Sequence, residues 1–144
     1  MAEVTARIAS VLVVDDNEVD VFLARELMRR HGGFGDVYDV ADGQEALELF
    51  RSQATGERLM GDDFPPTLII LDINMPRMNG FEFLDAFREV EDSLDPVPVV
   101  VMMLTSSVDR RDRDRARAYG IVKEFAEKPV SMELLDQVVS RYGR

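Results

Sequence analysis

Cysteine and tryptophan are absent from the 144 residues, and histidine occurs once, as His31. Without cysteine there is no disulfide framework, thiol nucleophile or Cys-type zinc site. With a single histidine, neither a His-built metal site nor a catalytic triad is expected within the chain. No apolar stretch approaches the ~18 residues a membrane span needs. Met1–Ser10 also lacks the apolar core of a signal peptide. A soluble cytoplasmic protein, away from membranes, is the expectation. Positive charge is scarce too: 17 Lys and Arg stand against 28 Asp and Glu, giving a net charge of −11. Such a chain is not expected to bind nucleic acid. The charge suits solubility, or a partner with a basic face.

What is present is a single-domain length with an ordinary apolar content of 46%. Apolar runs alternate with amphipathic stretches, the pattern of βα units on a parallel sheet. Ile8 to Val14 reads as a strand buried on both faces. Asn17 caps a helix whose apolar set is Val19, Phe22, Leu23, Leu27 and Met28, and His31-Gly32-Gly33 stops it. Val37 to Ala41 is a second strand, and Asp42-Gly43 turns into a second helix. Thr55 to Pro66 is a polar connection longer than the usual ~2–6 residues, hence an insertion or a lid. Thr67 to Asp72 is the third strand, and Asn79-Gly80 opens a helix carrying Phe81, Phe83, Leu84 and Phe87. Pro96-Val97-Pro98 introduces the fourth strand, Val99 to Leu104. An Asp- and Arg-rich helix then runs up to Gly120. Val122 to Ala126 is the fifth strand, and Ser131 caps the last helix. This predicts an α/β, doubly wound, flavodoxin-like domain. Five parallel strands in the order 2-1-3-4-5 would alternate with five helices on both faces.

In such a sheet ligands bind beyond the carboxyl ends of the strands. Strand one ends in Asp15-Asp16, strand three in Asp72, strand four in Thr105 and strand five in Lys128. Strands one and three are neighbours, so three carboxylates converge. Their repulsion calls for a proton or a divalent cation, and hard oxygen donors suit Mg²⁺. An aspartyl acceptor with an ammonium and a hydroxyl opposite suits phosphoryl transfer. Each residue alone has a plainer explanation as a helix cap, turn residue or solvated strand end. Their joint occurrence at four strand ends of one sheet favours a site.

Val13-Val14-Asp15-Asp16-Asn17, Ile69 through Gly80, Leu104-Thr105-Ser106 and Glu127-Lys128-Pro129 together resemble the receiver domain of two-component response regulators (CheY-like). The resemblance covers a core from about residue 8 to about residue 142 of a single domain, 1–144, with no output domain. It implies that Asp72 is the phospho-acceptor. Asp15 and Asp16 would hold Mg²⁺ together with Asp72 and the main-chain carbonyl of Asn74. Thr105 would be the switch hydroxyl, Lys128 would bind the phosphoryl group, and Phe125 takes the switch-aromatic position. The interval from Thr105 to Lys128 is one residue longer than the common pattern. Counting back from Lys128 favours Ser106. Counting to Gly120 favours Thr105, with the extra residue within Ile121 to Glu124. Thr105 is preferred because it directly follows the apolar strand. The connection Thr55–Pro66 is similar to that of single-domain receivers that partner phytochromes, and the run Met103–Ser107 resembles small stand-alone receivers.

The implied partners are a sensor histidine kinase, such as a bacteriophytochrome, or a phosphotransfer protein. A downstream protein would read the face of the fourth helix, fifth strand and fifth helix, and a homodimer is expected. Such a protein is a phospho-acceptor rather than an enzyme, with only self-catalysed phosphotransfer and autodephosphorylation. Three other classes stay open. A receiver-like docking module would act without phosphorylation. A flavin mononucleotide carrier would need a phosphate loop where Asp15-Asp16-Asn17-Glu18 stands. An aspartyl phosphatase of the haloacid dehalogenase type would want an acid at Asn74.

Overall fold

The strand Ile8–Val14 (β1) lies at the middle of the architecture, and all its residues except Ala9 are buried, as a parallel strand covered on both faces requires. The computed structural model describes residues 7–91 and 99–144. Around β1 are Phe34–Val40 (β2), Leu68–Asp72 (β3), Val100–Thr105 (β4) and Val122–Glu127 (β5). They form one sheet, β2-β1-β3-β4-β5, with every pair parallel. The helices are Glu18–His31 (α1), Gly43–Phe50 (α2), Gln53–Met60 (α3), Gly80–Glu91 (α4), Arg110–Ala116 (α5) and Met132–Tyr142 (α6). None of them is long and apolar enough to cross a membrane.

The sheet alternation divides the core in two. Val11, Val13, Leu68, Ile70, Met102 and Leu104 point to the face covered by α1 and α6, where Met28, Leu135 and Val138 meet them. Leu12, Val14, Ile69, Leu71, Val101 and Met103 point to the other face. There α2 and α4 bring Phe50, Phe83 and Phe87, which pack ring on ring at centroid distances of 4.9–6.4 Å. Fully burying side chains of this size stabilises the fold by about 1.5–3 kcal/mol each. His31 joins the ends of α1 and α6. Its Nδ1 accepts from the Gly33 amide, and Nε2 lies 2.6 Å from the Asp136 carboxylate.

Four expectations need correction. First, there are six α-helices among the described residues, not five. The stretch expected to be a polar connection is largely α3, followed by a 3-10 turn at Gly61–Asp63. Ser52 caps α3 by accepting from the Thr55 amide, and Met60 and Phe64 are buried under it. The Tyr38 hydroxyl donates to Asp63 at 2.7 Å, fastening the segment to β2, so it is a folded element rather than a lid. Second, β2 begins at Phe34, three residues earlier than predicted, because its pairing with β1 starts at Ile8–Phe34. Third, β5 runs one residue further than predicted, to Glu127, which pairs with Thr105. Fourth, Val19, Phe22 and Leu23 do not face the core. They are 66, 62 and 40% exposed, while Ala24 and Met28 make the buried seam of α1. The expected lead-in Pro96-Val97-Pro98 lies outside the described residues.

Candidate functional site

Parallel register brings the strand ends together. Val14 pairs with Leu71, and Asp72 pairs with Leu104, so Asp15, Asp72 and Thr105 emerge at one edge of the sheet. Asp15 and Asp72 are only 8 and 6% exposed, whereas Asp16 is exposed. Carboxylate oxygens of Asp15, Asp16 and Asp72 lie within 4.8 Å of one another. Two ligands opposite each other on an ion with ~2.1 Å metal–oxygen bonds stand about 4.2 Å apart. The three carboxylates therefore fit Mg²⁺ with little movement, and their chemistry, hard and anionic, is the kind it prefers. Asn74 is exposed beside them, and its main-chain N–H acts to lower the Asp72 carboxyl.

Lys128 is the cation of this pocket. Its Nζ stands 2.8 Å from Asp15, 2.9 Å from Asp20 and 3.4 Å from Asp72, with the side chain 12% exposed. The main chain places it: the Lys128 amide donates to the Thr105 carbonyl at 2.8 Å, and the peptide to Pro129 is cis. Burial and then the Asp15 charge push the Asp72 carboxyl up from the ordinary 3.8 to about 6, against the pull of Lys128. Burial acts to lower the Lys128 ammonium, but hydrogen bonds to Asp15 and Asp20 and the Asp72 charge hold it well above the lysine norm. The pocket thus carries more negative charge than Lys128 alone offsets, a state a bound cation relieves.

The loop after β3 is clamped from two sides. The Gly80 amide donates to the Ile73 carbonyl at 2.9 Å, and a Cβ on Gly80 would come within 2.6 Å of the Asp72 carbonyl oxygen. Arg77 adopts the left-handed region, φ 63°, and its Nε donates to Asp42 at 2.7 Å. Asp42 is buried and also caps α2 through the Glu45 amide. The sequence reading did not single out Arg77 or Asp20. Asp20 carries no local signal beyond an acidic side chain in the first turn of α1.

Thr105 ends β4 and is 1% exposed, and its hydroxyl donates to the Ser107 carbonyl at 3.0 Å; Ser106 is exposed. Val101 pairs with Val122 but Met102 pairs with Glu124, so β5 bulges at Lys123. The bulge lies within Ile121–Glu124, and Thr105 pairs with Glu127 at the sheet edge. Phe125 packs partly buried against the aromatic core, with the Arg113 guanidinium 5.7 Å from its ring centre.

Residues 11–140 match the model of the response regulator receiver domain. The chain belongs to that family. It is 32% identical over 130 residues to the probable methanogenesis regulatory protein FilR2 of Methanothrix harundinacea, covering 90% of this chain and 77% of the relative. A two-component response regulator from Cytophaga hutchinsonii superposes with a TM-score of 0.80 at 28% identity, covering 94% of this chain and 97% of the other. The bacteriophytochrome response regulator RtBRR superposes at 0.72 with 28% identity, covering 96% and 79%. Two hybrid signal transduction histidine kinases of Dictyostelium discoideum also match, and this chain spans 7% of each. The chain is therefore a receiver of the phosphorelay type, a phospho-acceptor family rather than a conventional enzyme family.

Proposed function

We propose that Asp72 accepts a phosphoryl group from a phosphohistidine on a sensor kinase or phosphotransfer protein. The observation that carries this reading is the convergence of Asp15, Asp16 and Asp72 within 4.8 Å of one another, with the Lys128 ammonium 2.8 Å from Asp15 and 3.4 Å from Asp72. Asp15, Asp16 and Asp72 would hold Mg²⁺ with the Asn74 carbonyl, and the ion when bound neutralises charge between the acceptor and the incoming phosphoryl group. An Asp72 oxygen forms the new bond to phosphorus while the bond from phosphorus to the donor histidine nitrogen breaks. The electron pair of that bond stays with the imidazole. Lys128 contacts the phosphoryl oxygens, and Thr105 turns its hydroxyl from the Ser107 carbonyl toward them. Phe125 then repacks, and α5, β5 and α6 present a changed surface, a two-state element biased by a local charge.

Two recesses on that surface carry more positive than negative side chains: Arg113, Arg117 and Lys123 line one with Glu124 and Phe125, and Arg110, Arg113 and Arg117 line the next with Asp114. Their charge suits a downstream partner with an acidic segment, or ion pairing across a homodimer. The likeness to bacteriophytochrome response regulators supports a light-sensing kinase as one donor.

The test is incubation with Mg²⁺ and acetyl phosphate, read by intact mass. A gain of one phosphoryl group that needs Mg²⁺ and disappears in Asp72→Ala is expected. No gain, or an equal gain in Asp72→Ala, overturns the reading. Light scattering at high concentration, with and without phosphorylation, tests the dimer, and one chain mass in both states refutes it.

A further inference from the structure

Lys128 has one carboxylate partner more than phosphoryl acceptance uses. An ammonium offers three donors, and here they face Asp15, Asp72 and Asp20. Asp15 serves the metal and Asp72 is the acceptor. Asp20 does neither. It lies in the first turn of α1, where a negative side chain is already favoured by the helix dipole, and its side chain is 29% exposed. Its 2.9 Å contact with Nζ is within 0.1 Å of that of Asp15, at 2.8 Å, and closer than that of Asp72, at 3.4 Å. A small recess lined by Asp15, Asp20, Leu23, Lys128 and Val130 adjoins this contact on the α1 side of the pocket.

A phosphoryl oxygen on Asp72 needs Nζ to lean toward the acceptor, but its shorter contacts, at 2.8 and 2.9 Å, draw it toward Asp15 and Asp20. The contact to give up is the one with no part in the chemistry. We propose that Asp20 is a positioning residue that holds Lys128 back from the acceptor. It thereby weakens the pocket's hold on a phosphoryl group and sets the level at which the switch turns on. This inference rests on the reading of Asp72 as acceptor.

The experiment measures binding of beryllofluoride, a phosphoryl mimic that coordinates an aspartate oxygen, at saturating Mg²⁺ by fluorine NMR. Asp20→Asn should tighten binding about fivefold, the scale of a partly exposed ion pair. Asp20→Glu, which keeps the charge within reach of Nζ, should stay near wild type. In a Lys128→Met background the same Asp20→Asn change should shift affinity by less than about twofold, because the effect runs through the ammonium. Unchanged or weaker binding in Asp20→Asn, with an unaltered melting temperature, overturns the inference. A full effect that persists without Lys128 also overturns it. If wild type binds no beryllofluoride while Mg²⁺ is present, the acceptor reading fails and this inference falls with it. If wild type binds and Asp20→Asn binds equally, only this inference fails.

Discussion

Replacing Asp72 by Asn is expected to make the metal-free protein more stable, although it removes the residue on which the proposed chemistry depends. Asp72 is 6% exposed, and burial and the neighbouring Asp15 carboxylate push its carboxyl from 3.8 up to about 6. An acid held above its ordinary value binds its proton more tightly when folded than when unfolded, so its ionised form opposes folding. At about 1.4 kcal/mol per pH unit, the interval from 3.8 to about 6 corresponds to roughly 3 kcal/mol. Asn gives back part of this by losing the 3.4 Å contact with Lys128. Because Asp15 and Asp20 still satisfy that ammonium, a net gain of about 1–3 kcal/mol should remain. For a chain of this size that is a rise in melting temperature of about 3–10 °C.

The pH dependence has a definite sign. Below 3.8 Asp72 is protonated in both states, and the two proteins should differ little. As pH rises through the window from 3.8 to about 6, the unfolded acid releases its proton first. Wild type then loses stability relative to Asp72→Asn, and the difference is complete above about 6. Urea unfolding in EDTA at pH 4, 5, 6 and 7.5 measures this. Mg²⁺ at 100 times its dissociation constant should then stabilise wild type by about 2.7 kcal/mol and the variant by less, closing or reversing the gap. An Asn variant less stable than wild type at pH 7.5 in EDTA, or a difference that does not change with pH, would refute the electrostatic reasoning.

Thr105→Val should keep beryllofluoride binding but lose the accompanying shift of the Phe125 ring resonances, while Ser106→Ala should leave both intact; the opposite pattern would assign the switch to Ser106. Gly56→Ala, which in most helices stabilises, should here cost about 1–3 kcal/mol, because the added carbon meets the Phe64 ring at 2.3 Å. Thermal melts decide the sign. Asp42→Ala should cost about 2 kcal/mol in urea unfolding, since it removes the α2 cap and the partner of Arg77 together. It should also slow phosphorylation by acetyl phosphate by loosening the loop that carries Asn74, and an unchanged rate would show that the loop is held without this clamp.

The parts of this molecule legible in its sequence share a physical cause. Central parallel strands are covered on both faces, so Val11–Val14, Leu68–Leu71 and Val100–Leu104 are continuous apolar runs, and the polar residue after each marks where it emerges. Strand direction and order then send Asp15, Asp72, Thr105 and Lys128 to one edge, whatever the helices do. Helices carry no such constraint. Val19, Phe22 and Leu23 fit a helical period, but which stripe turns inward depends on how α1 rolls on the sheet. The small Ala24 and the flexible Met28 are what allow close approach. The helix α3 is likewise hidden, because Gly56 marks it as loop until Phe64 packs against that glycine. Asp20 shows the same limit at the site itself. Locally it is an acidic residue suited to a helix start, and nothing nearby in the chain distinguishes it. Its meaning comes from an ammonium 108 residues away. A reading of strand ends therefore finds the groups that do the chemistry, and the side chains that set its level must be sought on the helices that lean over the same edge.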